Sequence, residues 1–153
     1  MSVATGVLIA IAAVSLGACA KPAPSLTVPQ VIARIHALDG QVVRVRGYLA
    51  SCAGYSCSLF VDEAGFRAMK QRIGEIQRVT QPGNTARVTT AEPPVLGIGG
   101  FPDFDRKAAP FQNGMVVITG KVTDGCRGSD GRPGCTDRST DIKPTDIVSL
   151  KDQ

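Results

Sequence analysis

Gly40-Gln41-Val42-Val43-Arg44-Val45-Arg46-Gly47-Tyr48-Leu49 alternates residue by residue. Val43, Val45 and Leu49 face one way, while Arg44, Arg46 and Tyr48 face the other. That period of two is the mark of a half-buried strand. Far downstream, Val116-Val117-Ile118-Thr119-Gly120-Lys121-Val122 repeats the scheme, with Gly120 in the phase of Gly47. A glycine on the core side of a strand marks a bend or a close approach of two backbones, as at the corners of a small barrel.

Working outward from these two strands, Ser58 to Val61, Val95 to Ile98 and Ile142 to Leu150 read as shorter ones. Ahead of the first strand, Pro29 to Leu38 predicts an amphipathic helix with Val31, Ile32, Ile35 and Leu38 on one side. Thr27 is placed to cap it and Gly40 to stop it. Phe66, Met69, Ile73 and Ile76 recur at helical spacing, predicting a second helix inside the long segment 63–94. Residues 27–153 suit one domain, undivided by any linker. Aromatic residues make up 5% of the chain and Trp is absent, so the core must be mostly Val, Ile, Leu and Ala. Such a core suits a small β structure reinforced by disulfides.

The helix, the alternating phrase at 38–49, the later Gly114-to-Val122 phrase and the final Ile142-to-Leu150 phrase together resemble OB-type barrels of small exported bacterial proteins. The resemblance spans about residues 28–150 and rests on strand phrasing. It implies a mainly β protein with short helices: a small OB-like five-stranded barrel with an N-terminal helix and a helical insertion. Segment 63–94 is longer than a minimal OB barrel carries there. An open β-sandwich is the alternative, since periodicity does not report closure.

The amino-terminal residues point to export. Val7 to Leu16 is an almost unbroken apolar run, and residues 1–18 carry no charged side chain. The run suits the hydrophobic region of a secretory signal and is too short to span a bilayer comfortably. It ends in Leu16-Gly17-Ala18-Cys19, which resembles the bacterial lipobox. That resemblance implies removal of a signal peptide at 1–18 and attachment of diacylglycerol to the Cys19 thiol. Acylation of the new amino terminus, by palmitate for example, would follow, giving an anchor of several chains. Met1 to Gly6 lacks the usual Lys or Arg, a departure from the signal pattern. Residues 19–26 then form the lipidated terminus and a Pro-rich tether. Ala20, rather than Asp, follows the cysteine, as in cargo sorted to the outer membrane. The implied location is the cell envelope, lipid-anchored in the outer membrane and facing the periplasm.

Five cysteines is an odd number for an exported chain, and lipidating Cys19 leaves four that can pair. Cys52 and Cys57 flank a hairpin turn, and Cys126 and Cys135 flank a Gly-rich loop. Local pairing, Cys52–Cys57 and Cys126–Cys135, is preferred among three connectivities. Each such staple should contribute about 2–3 kcal/mol by loop-closure entropy. A Cys₄ zinc site is disfavoured by the missing close-spaced pairs, and no metal or cofactor is expected. If the OB mapping holds, both staples lie in loops that OB folds use for ligands.

Arg67, Lys70, Arg72, Arg78 and Arg87 stand against Glu75 alone between 67 and 87, five minus one, or +4. The rest of the chain holds twelve basic and twelve acidic residues, so the whole formal excess sits in this segment. Arg67, Lys70, Arg72 and Arg78 are therefore one candidate surface for an anionic lipid or partner, or else the solvated face of a covering helix. Arg44, Arg46 and Tyr48 form a second basic stripe. One Tyr is a poor stacking platform, and no nucleic-acid partner is expected.

Signals for catalysis are weak. His36 is the only histidine, with no nucleophile motif beside it, and Asp103 and Asp105 read as turn or helix-cap residues. Gly97 to Gly100 lacks a following phosphate-binding helix, and Asp130, Asp137 and Asp141 do not match a calcium-loop spacing. Arg127, Arg132 and Arg138 would offset those charges. The expectation is a non-catalytic envelope lipoprotein whose OB-like module binds another envelope component. A binding module for an anionic lipid or glycan is the alternative, and an uncharacterised enzyme the third.

Overall fold

The computed structural model describes residues 24–53, 56–100, 102–125, 127, 132 and 140–152. The signal segment, Cys19, Cys126, Cys135, Asp130, Asp137 and Arg138 lie outside the described residues. Among those described, no helix is long and apolar enough to cross a membrane.

In chain order the elements are β1 (Leu26–Thr27), α1 (Val28–Ala33), α2 (Ile35–Leu38), β2 (Val42–Ala53), β3 (Ser56–Phe60), α3 (Glu63–Val79), β4 (Val95–Gly97), α4 (Asp103–Ala108), β5 (Gly114–Val122) and β6 (Ile142–Ser149). The protein is mainly antiparallel β, with helices between and around the strands. The sheet runs β4-β3-β2-β5-β6, with β1 pairing parallel to β2. The named strands leave it open between β4 and β6, where a single parallel bridge links Ile98 to Ile142.

The helix expected over Pro29–Leu38 is two short ones. Arg34 leaves the helical backbone at φ −123° and ψ 16°, between α1 and α2. Its amino end matches the expectation: the Thr27 hydroxyl accepts from the Gln30 N–H while the Gln30 side chain accepts from the Thr27 N–H. This is a reciprocal capping box. Val28, Val31, Ile35 and Leu38 are buried in the main core with Val45, Leu49, Leu59, Leu96, Val116, Ile118 and Ile142.

Both core-side glycines mark close backbone approaches. A Cβ on Gly47 would overlap the Phe60 carbonyl oxygen, and one on Gly120 would lie 2.6 Å from the Lys143 carbonyl oxygen. Neither glycine has a positive φ, so proximity alone imposes the residue.

Two register shifts break the simple alternation. Between Leu49 and Cys52, β2 carries one residue more than β3. Strict alternation would send Cys52 to the face opposite Leu49; the bulge returns it to the core, opposite Cys57. The two form a disulfide, with Cα atoms 4.0 Å apart. A second shift, between Thr119 and Gly120, sets Pro144 opposite Gly120 on the edge strand β6, where proline is tolerated.

α3 crosses the outer face of the sheet at one end. Asp62 caps it, accepting from the Gly65 N–H at 2.8 Å. Phe66 and Met69 pack on Tyr48, Ala50 and Phe60, forming a second apolar cluster. The Phe66 ring stacks on Tyr48 with centroids 6.0 Å apart and tilts against Phe60 at 5.5 Å. Tyr48 is therefore buried, and its expected place on the wet side of the strand is corrected. It faces outward, as its phase requires, but a helix covers it there.

Candidate binding surface

Beyond α3 the outer face of β2, β5 and β6 is partly open: Val117 at its centre is 1% exposed, and the short helical turns Ala109–Phe111 and Leu150–Asp152 contact β5. The registers set Arg46 beside Val117 and Val148, and Arg44 beside Thr119 and Asp146. Val42 and Met115, also on this face, are 67% and 37% exposed. Two adjoining grooves cross it. One, about 640 Å³, lies between the start of α3 and the loop before β5, and includes Tyr48, Glu63, Phe111, Asn113, Met115 and Lys151. The other, about 400 Å³, includes Arg44, Thr119, Asp146, Val148 and Asp152. Phe111 and Ser149 belong to both. Asn113 holds φ at 58°, a left-handed backbone that Asn adopts more readily than most residues. Its N–H bonds the Leu49 carbonyl at 2.7 Å, fixing the turn into β5. The surface is mixed in charge, with Arg44 and Lys151 set among Asp62, Glu63, Asp146 and Asp152.

The basic residues of α3 are mostly engaged within the helix and its following loop. Arg67 pairs with Glu63 at 2.8 Å, one turn back. Arg72 donates to the Thr90 carbonyl at 2.7 Å and lies 3.6 Å from Glu92. Arg78 donates to the Gly74 carbonyl at 3.2 Å, and Lys70 stands over Phe66 at 5.6 Å from its centroid. Thus the seven predicted surface residues fall on two elements. Arg44 lines the second groove, Arg46 is exposed one strand repeat further along β2, Tyr48 sits beneath α3, and the other four follow the helix.

Glu75 has no sequence signal beyond its isolation among cations, yet it organises the loop behind α3. Its carboxylate accepts from the Thr89 N–H at 2.8 Å, the Thr90 N–H at 2.9 Å and the Thr90 hydroxyl at 2.7 Å. Bonds from the Thr90 backbone and side chain, then from Thr89, hold its pKa at about 2, below the ordinary 4.5. Opposing desolvation is smaller.

The other missed feature is Arg127 with Asp141. The Arg127 side chain is 3% exposed and that of Asp141 0%. Arg127 Nε donates to Asp141 Oδ1 at 2.7 Å, and Nη2 donates to Oδ2 at 2.6 Å and to the Val95 carbonyl at 2.8 Å. Asp141 Oδ2 also accepts from the Gly97 N–H at 2.7 Å, while the Asp141 N–H bonds the Gly97 carbonyl at 2.9 Å. The pair thus spans β4 and the start of β6, beside the bridge between their edges. Its residues serve architecture, and Arg127 does more than offset nearby charge.

The remaining candidates are dispersed. His36 Nδ1 meets Asp124 Oδ2 at 2.8 Å on an exposed surface. Asp103 and Asp105 lie in the first turn of α4, and Pro102 holds the N-cap position. They favour the positive end of that helix without capping it, correcting the cap expectation. Asp103 pairs with Arg106, and Asp105 Oδ1 lies 3.5 Å from the Cys52 sulfur. The Cys52–Cys57 disulfide removes two ligands from any Cys₄ zinc site. Among the described residues, no group of three or more His, Cys, Asp or Glu is arranged to hold a metal ion.

The geometry defines a mainly antiparallel β domain with two adjoining grooves on its outer sheet face. No protein-family model, curated protein or solved structure significantly matches the chain.

Proposed function

We propose that this is a lipid-anchored envelope protein whose domain is an OB-type five-stranded barrel, acting as a non-catalytic binding module for another envelope component. The Leu16-Gly17-Ala18-Cys19 motif behind an apolar run supports the anchor. Strand order β4-β3-β2-β5-β6, the parallel Ile98–Ile142 bridge and a helix between β4 and β5 support the barrel. In that reading the Arg127–Asp141 pair substitutes for ladder bonds where the barrel closes.

The observation that carries the binding role is the outer face of β2, β5 and β6, where exposed Met115 and two adjoining grooves lie together. An apolar centre with a mixed-charge rim is the composition of a protein interface. It favours a protein partner over an anionic small ligand, which would call for one sign of charge. A photoreactive side chain at Met115, in the native envelope, should give one discrete protein adduct. Arg44→Glu should weaken that adduct, and the same group at Gln71 should not produce it. No discrete adduct, or equal adducts from both positions, contradicts the proposal.

A further inference from the structure

β1 is only two residues long, but its direction orients the domain. Leu26 pairs with Val45 and Thr27 with Arg46 in parallel register. The chain that precedes Leu26 therefore runs along β2 toward Val42, away from Tyr48 and Met115. At that end one row crosses three strands on the outer face: Val42 lies beside Lys121, and Lys121 beside Lys143. Val42 is the most exposed large hydrophobic side chain among the described residues, at 67%. Lys121 and Lys143 are exposed, and so is Arg46, which stands opposite Thr27 where the chain enters. Among the described residues none of these three cations makes an ion pair. Neighbouring carboxylates are engaged elsewhere: Asp124 meets His36, Asp39 accepts from the Asp124 N–H, and Asp146 shares the second groove with Arg44. The loop after β5 also leaves from this end, but Arg127 turns back to the Val95 carbonyl of β4.

We infer that this end of the sheet rests on an anionic lipid surface, with Val42 at the acyl boundary and Lys121, Lys143 and Arg46 toward headgroups. The inference rests on the anchor proposed above, because the tether leads here. Seven residues from Cys19 to Leu26 span at most about 25 Å. The three residues of β2 from Val45 back to Val42 match about 10 Å of that length. A fully extended tether therefore reaches only about 15 Å past the Val42 row. Any slack brings the cations within the roughly 8 Å over which charge acts at physiological salt. Unpaired cations around an exposed aliphatic combine the electrostatic and apolar terms that hold a domain to such lipid. The same placement turns the groove around Met115 away from the bilayer. Met115 pairs with Tyr48, which lies about 20 Å along β2 from Val42.

The chain contains no Trp, so Val42→Trp supplies a single reporter at an exposed site. The full chain carrying it is expressed, extracted from membranes and reconstituted into vesicles of phosphatidylglycerol and phosphatidylcholine with brominated acyl chains. Emission should shift to the blue and be quenched. Met115→Trp, at the far end of the same face, should show neither vesicle-dependent effect. Raising the salt should relieve the quenching. Replacing Lys121 and Lys143 with Gln should lower the ratio of docked to undocked domain about fivefold per charge. Equal quenching at both positions, or equal quenching in pure phosphatidylcholine, overturns the inference. So does a concentration-dependent blue shift at Val42→Trp in detergent without vesicles, which would assign this end to a second copy. Intact mass of the same sample reads the anchor separately. An acylated chain with no quenching defeats the inference alone. Quenching of an unacylated chain sustains it and defeats the anchor, and an unacylated chain with no quenching defeats both.

Discussion

Replacing Asp141 with Asn tests the buried pair that joins β4 to β6. The substitution removes the Asp141 charge that faces the Arg127 guanidinium, which is 3% exposed. Removing one partner of a buried pair costs about 3–5 kcal/mol, because the survivor stays desolvated and unpaired. The substituted amide oxygen can still accept from the Gly97 N–H, which keeps the loss toward the lower end of that range. Arg127→Met alone should cost a similar amount, since Asp141 is then the stranded charge and the Val95 carbonyl loses its donor. The double variant removes both charges and should cost only about 1–3 kcal/mol, the penalty of unmade hydrogen bonds. Urea unfolding followed by circular dichroism gives all three values. The single variants should also lower Tm by about 10–20 °C in a domain of this size. A loss below about 1 kcal/mol for Asp141→Asn, or additive effects in the double variant, would refute the reasoning.

Other expectations follow from packing and pH. Gly120→Ala should destabilise by about 1–3 kcal/mol through overlap with the Lys143 backbone. Gly74→Ala, in open space on α3, should instead stabilise by about 0.5–1 kcal/mol in the same unfolding assay. Replacing Cys52 and Cys57 together with Ala should cost about 2 kcal/mol in the same unfolding assay. Because the pKa of Glu75 is lowered in the folded state, its contribution is present above pH 4.5 and is lost as pH falls toward about 2. Protection of the Thr89 and Thr90 amides relative to their intrinsic exchange rates should fall across that window, and Glu75→Gln should remove that pH dependence.

The strands were legible because their period is local. Val43, Val45 and Leu49 show their phase in one line of sequence, and Gly47 and Gly120 mark the close approaches where a side chain would not fit. The capping box was half visible, through Thr27. What the sequence concealed was non-local. Tyr48 has the phase of a solvent-facing residue, and only the return of α3 over the sheet buries it. The bulge before Cys52 has no signature, so a strict period of two misplaces that cysteine. Arg127 and Asp141 lie 14 residues apart in a polar Gly-rich stretch, and nothing local separates a buried pair from two solvated charges. Glu75 shows the same limit: its partners come from a loop that folds back. The grooves around Met115 depend on which outward-facing residues stay uncovered, which is a property of layers rather than of strands.

The most direct test of the central claim, a lipid-anchored binding module, is the intact mass of the chain extracted from membranes without reduction, followed by thiol mapping. The expected result is a chain beginning at an acylated Cys19, with Cys52 joined to Cys57 and Cys126 joined to Cys135. A full-length chain with an unmodified Cys19 and free thiols would contradict it.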